Sequence, residues 1–584
     1  MESEAKIWLE HLEEAVPEQG YGNRLSMYLI ALEAWRRGVS VNFYTIDNPE
    51  NKVLVRYSLK GFGREYHFES SRGDKLSEEA YTICQNKDKT KKLLAEAGVD
   101  IPVGKRFTGE SKDDDIIKYA ESIGYPVVLK PTSENAGKGV YPNISSIEVL
   151  EDALYWVKYE LGYQDIMIEK YIPGTEYRIL LVQGEVIGAI NRVPANIIGD
   201  GENTIETLIA KKNKSKKSNP NISKKTIKVD NEVMHSIGIA GYELESILPE
   251  GQQIYLRNKS NISTGGDPID VTDSLTPELK DTASRAAKAI PGLDVCGLDM
   301  IVDTQNNKGT IIEINTKPML GLHLYPVEGR ARDVLTPLLD YYFPETINGN
   351  RTSLYFDFES LLAPLNNITT NQLELLPPPS LDAVYAKKYT VTGEISRVGY
   401  GGWIRRRALQ QELHGFTMTT EDGEIEVVVA SDNKEKVDDF KAVCLQGPDQ
   451  ATVENVEETV WRKPVKIGFE IRRESASNWL SSSLKKEKSI NRKLKEREEE
   501  LEQSNKDLQD TVDQLEKART ELDQQLVQRK KKNKKLRKEL QALQEEKSEA
   551  VSRAEQYKEK YQQILNSRSW KYTSPLRQML KKIK

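Results

Sequence analysis

The sequence has few cysteines, no long apolar run and no excess of charge of one sign. Its three cysteines, Cys84, Cys296 and Cys444, stand far apart, which argues against a disulfide framework or a zinc site. No stretch approaches the roughly 18–20 apolar residues of a membrane-spanning helix, and the first residues do not resemble a signal peptide. The 84 basic and 90 acidic side chains nearly balance, so no overall field favours nucleic acid. We therefore expect a cytoplasmic protein that binds no nucleic acid.

The length of 584 residues is too great for one domain and predicts several. Helical patterns alternate with short β-branched runs through the first half, which is typical of a multidomain α/β protein. Three consecutive prolines near the middle indicate a break. The predicted segments are an N-terminal α/β region (1–85), a large α/β domain (86–345), a linker (346–381), a small α/β sandwich (382–474), a second linker (475–489), a long α-helical coiled coil (490–565) and a basic tail (566–584).

The coiled coil is predicted from apolar residues that recur at every seventh position, with Arg529 as the exception. These positions are Leu494, Leu501, Leu508, Leu515, Leu522, Leu536, Leu543, Ala550, Tyr557 and Ile564. The second seam is more polar, since it includes Asn505, Asn533 and Lys547, and such residues fix register at a cost in stability. We predict self-association as a parallel dimer. A single solvated helix with many charges is the alternative.

Candidate phosphate-binding residues lie between 86 and 140. Lys87 begins a predicted helix and Lys130 ends a predicted strand, so two ammonium groups face one polyphosphate. The following segment contains Gly137 and Gly139, and glycines allow the backbone to approach phosphates and donate N–H groups. For the two glycines alone, an ordinary hairpin turn is the favoured interpretation.

A second candidate segment, "IMIEKYIPGTEYRILLV", carries a strand end suited to a nucleotide base. The backbone of Glu169, Lys170 and Ile172 is placed to pair with adenine edges. Glu176 is then positioned to accept from ribose hydroxyls, and Arg178 to point toward phosphate. A strand end that is merely exposed is the alternative.

The metal-binding candidates lie on two neighbouring strands. Asp299 is on one strand, and Glu313 and Asn315 lie two apart on the next, so the latter two share one face. Carboxylate and amide oxygens are hard ligands that suit magnesium also held by substrate phosphates. The flanking residues are apolar, which favours buried strands over solvent-facing ones.

In this order, the motifs resemble the ATP-grasp superfamily. The similar branch is the one shared by cyanophycin synthetase and the glutathione-synthetase half of bifunctional bacterial glutathione enzymes. Further stretches that carry the resemblance are "NRVPANIIGDGENTIETLI", "YLRNKSNISTGGDPIDVTD" and "EINTKPMLGLHLYPVEGRARDVLTPLLDYYFP".

The resemblance implies ATP-dependent joining of a small carboxylate to an amine through an acyl phosphate, with ATP and Mg²⁺ (or Mn²⁺). It implies catalytic roles for Lys130, Arg178 and Arg257, whose charges would neutralise or position the reacting groups.

The resemblance also implies a substrate side. Its candidate residues are Arg192, Ser263, Thr264, Gly265, His323, Glu328 and Arg332. Ordinary surface arginines are an equal alternative for Arg192 and Arg257. The family usually has an arginine at the place of Gly321, and its relatives carry a second catalytic module that is not visible here, so the substrates do not carry over.

Residues 384–472 resemble acylphosphatase, an α/β sandwich of ferredoxin-like type that hydrolyses acyl phosphates. The family's phosphate-binding arginine falls on Gly401, and its water-orienting asparagine falls on Thr419. We therefore expect a degenerate hydrolase, because charge-assisted bonds to phosphate are lost. An active acylphosphatase that uses a replacement arginine is the alternative, and the candidates are Arg397, Arg405, Arg406 and Arg407.

The final segment, "NSRSWKYTSPLRQMLKKIK", resembles the endings of some bacterial glycosyltransferases and surface-polysaccharide proteins. It suggests a bacterial-type protein whose tail contacts polysaccharide machinery or, weakly, the inner membrane face. A frayed basic terminus is the alternative. The sequence thus favours an ATP- and magnesium-dependent ligase. The competing hypothesis is a nucleotide-binding scaffold that works through its coiled coil in polysaccharide assembly.

Overall fold

The computed structural model describes residues 8–47, 53–132, 139–257, 259–420, 423–473, 529, 531, 535–536 and 538–580. Met1–Ser475 and Ala476–Lys584 form two compact units. No helix within the described ranges is long and apolar enough to cross a membrane.

Among the described residues, all strands belong to the first unit. They are β1 (Ser40–Asp47), β2 (Val53–Gly61), β3 (Arg64–Glu69), β4 (Arg72–Gly73), β5 (Gly104–Phe107), β6 (Val127–Pro131), β7 (Tyr141–Ile144), β8 (Ile166–Lys170), β9 (Thr175–Val182), β10 (Glu185–Val193), β11 (Asn196–Ile198), β12 (Gln253–Tyr255), β13 (Asp267–Asp270), β14 (Val295–Asp303), β15 (Lys308–Asn315), β16 (Leu354–Tyr355), β17 (Gln372–Glu374), β18 (Tyr385–Glu394), β19 (His414–Thr419), β20 (Ile425–Ser431), β21 (Thr452–Val460), β22 (Val465–Lys466) and β23 (Phe469–Arg473).

The helices occur in both units. Those of the first unit are α1 (Leu25–Arg36), α2 (Glu78–Gln85), α3 (Lys87–Glu96), α4 (Asp113–Ile123), α5 (Ile147–Tyr155), α6 (Ile205–Lys216), α7 (Asn231–Ile239), α8 (Pro277–Lys288), α9 (Gly321–Leu324), α10 (Leu335–Tyr342), α11 (Phe358–Asn366), α12 (Tyr400–Gln410) and α13 (Lys434–Gln446). Those of the second unit are α14 (538–566), α15 (Arg568–Tyr572) and α16 (Ser574–Leu580).

The N-terminal core is built around α1, whose residues are all buried. Such a helix needs partners on every side. One partner is an antiparallel sheet in the order β17-β1-β2-β3-β4. Tyr28 of α1 also contacts Phe356 and Phe358, which precede and begin α11. This core therefore includes residues far along the chain.

The interpretation of 346–381 as a linker is wrong. This segment contains β16, α11 and β17, and β17 pairs with β1 through Phe43 and Leu373. Phe358 and Leu365 of α11 are buried in the N-terminal core. The prolines follow β17 and mark only the end of this folded segment.

Two antiparallel sheets form the middle of the unit. The first has the order β5-β8-β6-β7 and is backed by α4 and α5, whose apolar side chains pack against it. The second has the order β13-β10-β9-β14-β15 and is backed by α8. In both sheets alternate residues point away from the helices, so each sheet presents a second face that can carry polar groups.

A smaller lobe lies between β10 and β13. It consists of α6, α7 and the antiparallel pair β11 and β12 around a core of its own. Thr204 caps α6 and Asp230 caps α7, because each side chain accepts a bond from a backbone N–H in the first turn.

The C-terminal sandwich has a five-stranded sheet in the order β21-β18-β20-β19-β23, covered on one face by α12 and α13. Both faces of β20 are buried: Val427 and Val429 pack toward the helices, while Val428 and Ala430 join the N-terminal core. The predicted sandwich is thus present, and the N-terminal core covers its second face.

The second unit is helical in its described part. The seam residues Leu536 and Leu543 are 51% and 61% exposed in the single chain. The predicted seam positions from 494 to 528 lie outside the described residues. After α14, Ser567 caps α15, and the guanidinium of Arg577 lies 3.5 Å from the centroid of the Trp570 ring. This packing orders the end of the helix.

Candidate functional site

Two lysines pair with one buried carboxylate on the free face of the first middle sheet. Val128 and Glu169 are paired across β6 and β8, and Lys130 lies on the same face. The Lys130 Nζ is 2.5 Å from a Glu169 carboxylate oxygen, and Lys91 of α3 forms a second ion pair with the same side chain. Burial alone would raise the pKa of Glu169, but the two lysines hold it below its usual value. Glu169 is therefore charged.

Lys87 connects this lysine cluster to the second middle sheet. Its pKa lies below the usual value, because of burial first and the charge of Lys130 second, while Glu313 and Glu169 act in the opposite sense. Glu313 belongs to β15 of the other sheet. The Lys87 ammonium group thus lies within electrostatic reach of both sheets, which is the position that the sequence predicted for a phosphate ligand.

The free face of the second sheet carries a row of charges across three strands. Arg178, Asp299 and Glu313 are direct neighbours on β9, β14 and β15. The Arg178 guanidinium lies 2.7 Å from the Asp299 carboxylate. On the opposite face, alternating residues such as Leu298 and Met300 pack beneath α8. The alternation therefore separates an apolar back from a charged front.

The predicted metal ligands lie on this charged front. Asp299 and Glu313 face each other, and Asn315 lies two residues farther along the same face. Within the described ranges, the Glu313 and Asn315 side chains form no hydrogen bond or ion pair. Two carboxylates and an amide fit a hard divalent ion. No group of three or more His, Cys, Asp and Glu side chains with ligand geometry occurs among the described residues, so substrate oxygens would have to complete the shell.

Arg192 closes the row on the β10 side. It forms an ion pair with Glu176 and lies 3.2 Å from Asp299. Glu176, predicted to accept from ribose, therefore has an arginine partner. Arg178, predicted to face phosphate, has Asp299 as its partner. In this structure the site's own acids and bases neutralise one another, and ligands would have to compete with these pairs.

The predicted adenine segment is the end of β8 and the turn after it. The Lys170 ammonium group donates to the carbonyls of Gly124 and Tyr125, each at 3.0 Å, and so points away from the cleft. The Lys170 N–H donates to Val103, and the Tyr171 N–H to Pro126. For Ile172, no N–H bond to a backbone carbonyl is present among the described residues, so this group remains for a base edge.

The glycine-rich segment is described only in part. Gly137 lies outside the described residues. Gly139 has φ +69°, and a Cβ there would come within 2.9 Å of the Pro131 ring. This position accepts only glycine without strain.

Arg257 is not placed with the other predicted catalytic residues. Its guanidinium is 2.5 Å from Asp230 and also pairs with Glu232, at the start of α7. No described contact joins it to Lys130 or Arg178. The sequence could not show this, because the two acids belong to the smaller lobe and precede Arg257 by more than 20 residues.

The predicted substrate loop precedes β13. The Ser263 hydroxyl donates to the Asn261 side chain at 2.6 Å, and the Thr264 hydroxyl donates to the Asn261 carbonyl at 3.1 Å. Gly265 has φ +105°, and its carbonyl accepts from the Lys216 ammonium. The loop is thus organised locally, with glycine required at its end.

The last predicted motif divides into a buried part and an exposed part. His323 is 1% exposed, its Nδ1 has no hydrogen-bond partner among the described residues, and burial lowers its pKa to about 3. Glu328 is exposed and contributes its backbone carbonyl to Asp270. Arg332 pairs with Asp270 and Asp273, each at 2.6 Å. Only His323, whose pKa is influenced by Arg178, adjoins the charged row.

Gly321 is packed where a side chain would project. A Cβ at this position would come within 2.5 Å of Leu25 and 2.9 Å of the Asn221 amide oxygen. An arginine would therefore require both neighbours to move. Close packing at Gly321 therefore leaves no room for the arginine that the family resemblance implied.

Gly401 lies at the start of α12, with ordinary space around it. A Cβ there would be 3.4 Å from the Thr417 methyl group. The candidate replacement arginines have other partners: Arg405 donates to the Phe469 carbonyl at 3.0 Å, and Arg407 stacks 5.3 Å from the Trp403 ring. Arg406 is exposed, and Arg397 has φ +65°. Among the described residues, no contact of these four arginines places a guanidinium where the family's arginine would be.

Lys91 is the functional candidate that the sequence interpretation missed. It lies four residues after Lys87 on α3, and residues four apart share one face of a helix. That spacing is the signal that could have identified it.

Comparison with known proteins identifies two domains. Residues 107–236 match the family model for the prokaryotic glutathione synthetase ATP-grasp domain, and residues 387–471 match that for acylphosphatase. The glutathione biosynthesis bifunctional protein of Clostridium perfringens is 34% identical over 55% of this chain and 41% of its own length. Cyanophycin synthetase of Crocosphaera subtropica is 35% identical over 45% of this chain and 31% of its own.

Among solved structures, a bifunctional glutathione synthetase from Pasteurella multocida is 28% identical, with a TM-score of 0.39, over 52% of this chain and 42% of that chain. The chain spans less than half the length of the two curated relatives. It contains an ATP-grasp domain homologous to them and a C-terminal acylphosphatase domain.

Proposed function

We propose that this chain is an ATP- and magnesium-dependent ligase that joins a small carboxylate to an amine through an acyl phosphate. The two curated relatives are a glutathione biosynthesis protein and a cyanophycin synthetase, which supports amino acids or peptides as substrates. The observation that carries the proposal is the position of Lys87, within electrostatic reach of Lys130 on one sheet and Glu313 on the other.

The reaction needs charge neutralisation more than covalent help from the protein. A carboxylate oxygen of the acid attacks the γ-phosphorus of ATP, and ADP leaves. The amine then attacks the acyl carbon, phosphate leaves, and the amine proton passes to solvent. Lys87, Lys91 and Lys130 bind the phosphate oxygens, since each ammonium offers up to three donors.

The charged row supports the second half of the proposal. Asp299, Glu313 and Asn315 would hold magnesium, which when bound supplies charge stabilisation at the phosphate oxygens. Arg178 and Arg192 must then release Asp299 and turn to the substrates. Both guanidinium groups have a buried Nε without a partner among the described residues, so each retains a donor for a substrate oxygen.

The test is ADP release by the full chain with ATP and magnesium, screened against pooled amino acids, small peptides and sugar acids. Hydroxylamine is added to trap an acyl phosphate as a hydroxamate. We expect ADP release that depends on one acid and is accompanied by hydroxamate. Glu313→Gln should lower the rate by about 100-fold or more, because the transition-state charge loses its metal site.

The matched control is Glu185→Gln, at the exposed start of β10 in the same sheet. It should retain the wild-type rate. ATP binding without turnover in any pool would contradict the ligase and favour a nucleotide-binding scaffold.

We propose further that the acylphosphatase domain does not hydrolyse acyl phosphates. Gly401 supplies no guanidinium, and Arg405 and Arg407 already have partners. The domain instead braces the N-terminal core. Its strand β22 pairs with β16, and Lys463 lies 2.9 Å from Glu13 and 2.8 Å from Glu14.

We also propose that α14 continues a parallel dimeric coiled coil. The observation that supports this is the exposure of its seam side chains, with Leu540 at 57% and Ile564 at 51%. Apolar residues spaced by seven on one helix gain most by packing against a second copy. Light scattering on the full chain should give the dimer mass, and Leu536→Asp with Leu543→Asp should give the monomer mass.

A further inference from the structure

Lys225 is a partly buried lysine without an acidic partner. It lies in the segment between α6 and α7, and its Nζ is 3.4 Å from the Asn221 amide oxygen. Among the described residues, no carboxylate forms an ion pair with it. Most other enclosed cations of this unit do have such a pair, as Lys130 has with Glu169 and Arg178 has with Asp299.

The electrostatic surroundings make this arrangement costly. Burial lowers the pKa of Lys225 to about 8, and the like charge of Lys216 contributes to the shift. At neutral pH the amine is still mostly protonated. An enclosed charge without a counter-ion lowers stability, and groups of this kind mark sites where a ligand supplies the missing charge.

Two further donors near Lys225 also lack partners. The Asn221 side-chain nitrogen and the Ser223 hydroxyl are buried and form no hydrogen bond among the described residues. Asn221 is 1% exposed, so water does not satisfy it. An ammonium whose acceptor is a neutral amide oxygen, together with an amide N–H and a hydroxyl that have no acceptor among the described residues, suits an anion with two oxygens.

The position of this turn links it to the predicted substrate side. Ile222 packs in one small cluster with Ile190, Ile262 and Leu322, which belong to β10, the substrate loop and α9. Asn221 also occupies the space beside Gly321. Lys216, the charged neighbour of Lys225, donates to the carbonyls of Gly265 and Gly266.

We propose that Lys225, Asn221 and Ser223 bind a non-reacting carboxylate of one of the substrates. The proposal rests on the proposed ligase function and narrows its substrate class: either the acid is a dicarboxylic acid, or the amine is an amino acid that keeps its own carboxylate. Lys225 supplies the charge, and the other two residues orient the carboxylate plane. α9 contributes no cation here, because it has Gly321 and a neutral His323.

A binding test that needs no turnover uses glutarate as the probe. The full chain is treated with a lysine-methylating reagent near pH 8, and the labelling of Lys225 and of the adjacent, exposed Lys224 is measured by mass spectrometry. Glutarate should slow the labelling of Lys225 about fivefold or more, because bound carboxylate holds the amine in its protonated form. Lys224 should be unaffected.

Glutaramide and inorganic phosphate are the companion probes. The uncharged amide should give no protection. Equal protection by phosphate, or no protection by glutarate, would overturn the carboxylate assignment. Lys225→Met should have a melting temperature at least as high as that of the wild type, since an unpaired charge is removed. A lower value would show a purely structural lysine.

Kinetics separate this proposal from the ligase itself. With the acid and amine found by ADP release, Lys225→Met should raise the KM of the carboxylate-bearing substrate about tenfold or more and leave the KM of ATP unchanged. Lys225→Arg should restore most of the loss, and Lys224→Met should behave as the wild type. If Lys225→Met is active and its KM for the carboxylate-bearing substrate is unchanged, the carboxylate site is overturned but the ligase function is not. Absence of ADP release overturns the ligase, while the labelling result still decides the site.

Discussion

The ATP-grasp cleft and the acylphosphatase domain differ in what they keep of their charged groups. In the cleft, Lys91 and Lys130 pair with Glu169, and Arg178 pairs with Asp299. In the second domain, the place of the family's arginine is Gly401, and Thr419 stands where an asparagine is expected. Both domains keep their sheets and helices. Under the proposed function, the second domain keeps its fold without its chemistry, because its packing still stabilises the chain.

The second faces of the two sheets also differ. The free face of the ATP-grasp sheet carries the row from Arg178 to Glu313. The corresponding face of the acylphosphatase sheet carries Phe416 and Val428, which are buried with the N-terminal core. One face carries charged side chains, and the other packs between domains.

The largest effect should come from breaking the packing face. Val428→Asp places a carboxylate in an apolar interface, and we expect a loss of about 3–5 kcal/mol in the free energy of unfolding. Denaturant unfolding of the full chain measures it. Val460→Asp, on β21 and 72% exposed, is the control and should change stability little. Equal effects at both positions would contradict the bracing role.

The next effect should come from the cleft. Lys130→Met removes one ammonium from the phosphate site and should lower ADP release about 100-fold to 1000-fold. Its control, Lys105→Met, removes an exposed lysine from β5 of the same sheet. If both variants retain the wild-type rate, the lysine cluster is not the phosphate site.

A smaller effect should come from rebuilding the lost site. Gly401→Arg with Thr419→Asn should give the full chain a measurable hydrolysis of benzoyl phosphate that the wild type lacks. The space beside Gly401 accepts a Cβ, and the guanidinium restores charge-assisted bonds to phosphate. The control places the arginine at Gly402, one position along the helix. Hydrolysis by the wild type would show that an arginine already present in the domain binds the phosphate.

The smallest predicted effect is on the pH dependence of the free energy of unfolding. The folded-state pKa of Lys225 is about 8, below its value in the unfolded chain, so between about pH 8 and 10.5 the unfolded state binds more protons. Stability from this group should therefore rise with pH across that window. Comparing Lys225→Met with Lys224→Met isolates the contribution. Identical pH dependence in both variants would contradict an enclosed Lys225 charge.

Much of the fold could be predicted from local patterns, but not the segment 346–381. The strands β16 and β17 have two and three residues and gain their stability from distant partners, β22 and β1. Strands this short give no periodic signal. The sequence shows three prolines near 378, but it does not show that α11 packs into a buried core.

The candidate site shows a similar division. The ligand residues could be named from motifs, because residue type and spacing are visible in a sequence. The pairing of Arg178 with Asp299 depends on cross-strand register, and that of Arg257 with Asp230 depends on the smaller lobe. Such long-range contacts decide which charges a ligand must displace, and local patterns carry no information on them.

The stoichiometry of the trapped intermediate tests the contrast between the two domains most directly. The full chain is supplied with ATP, magnesium, the identified acid and excess hydroxylamine, and both ADP and hydroxamate are measured. We predict one hydroxamate for each ADP, because the cleft makes an acyl phosphate that the second domain leaves intact. ADP accompanied by free phosphate and little hydroxamate would contradict the account.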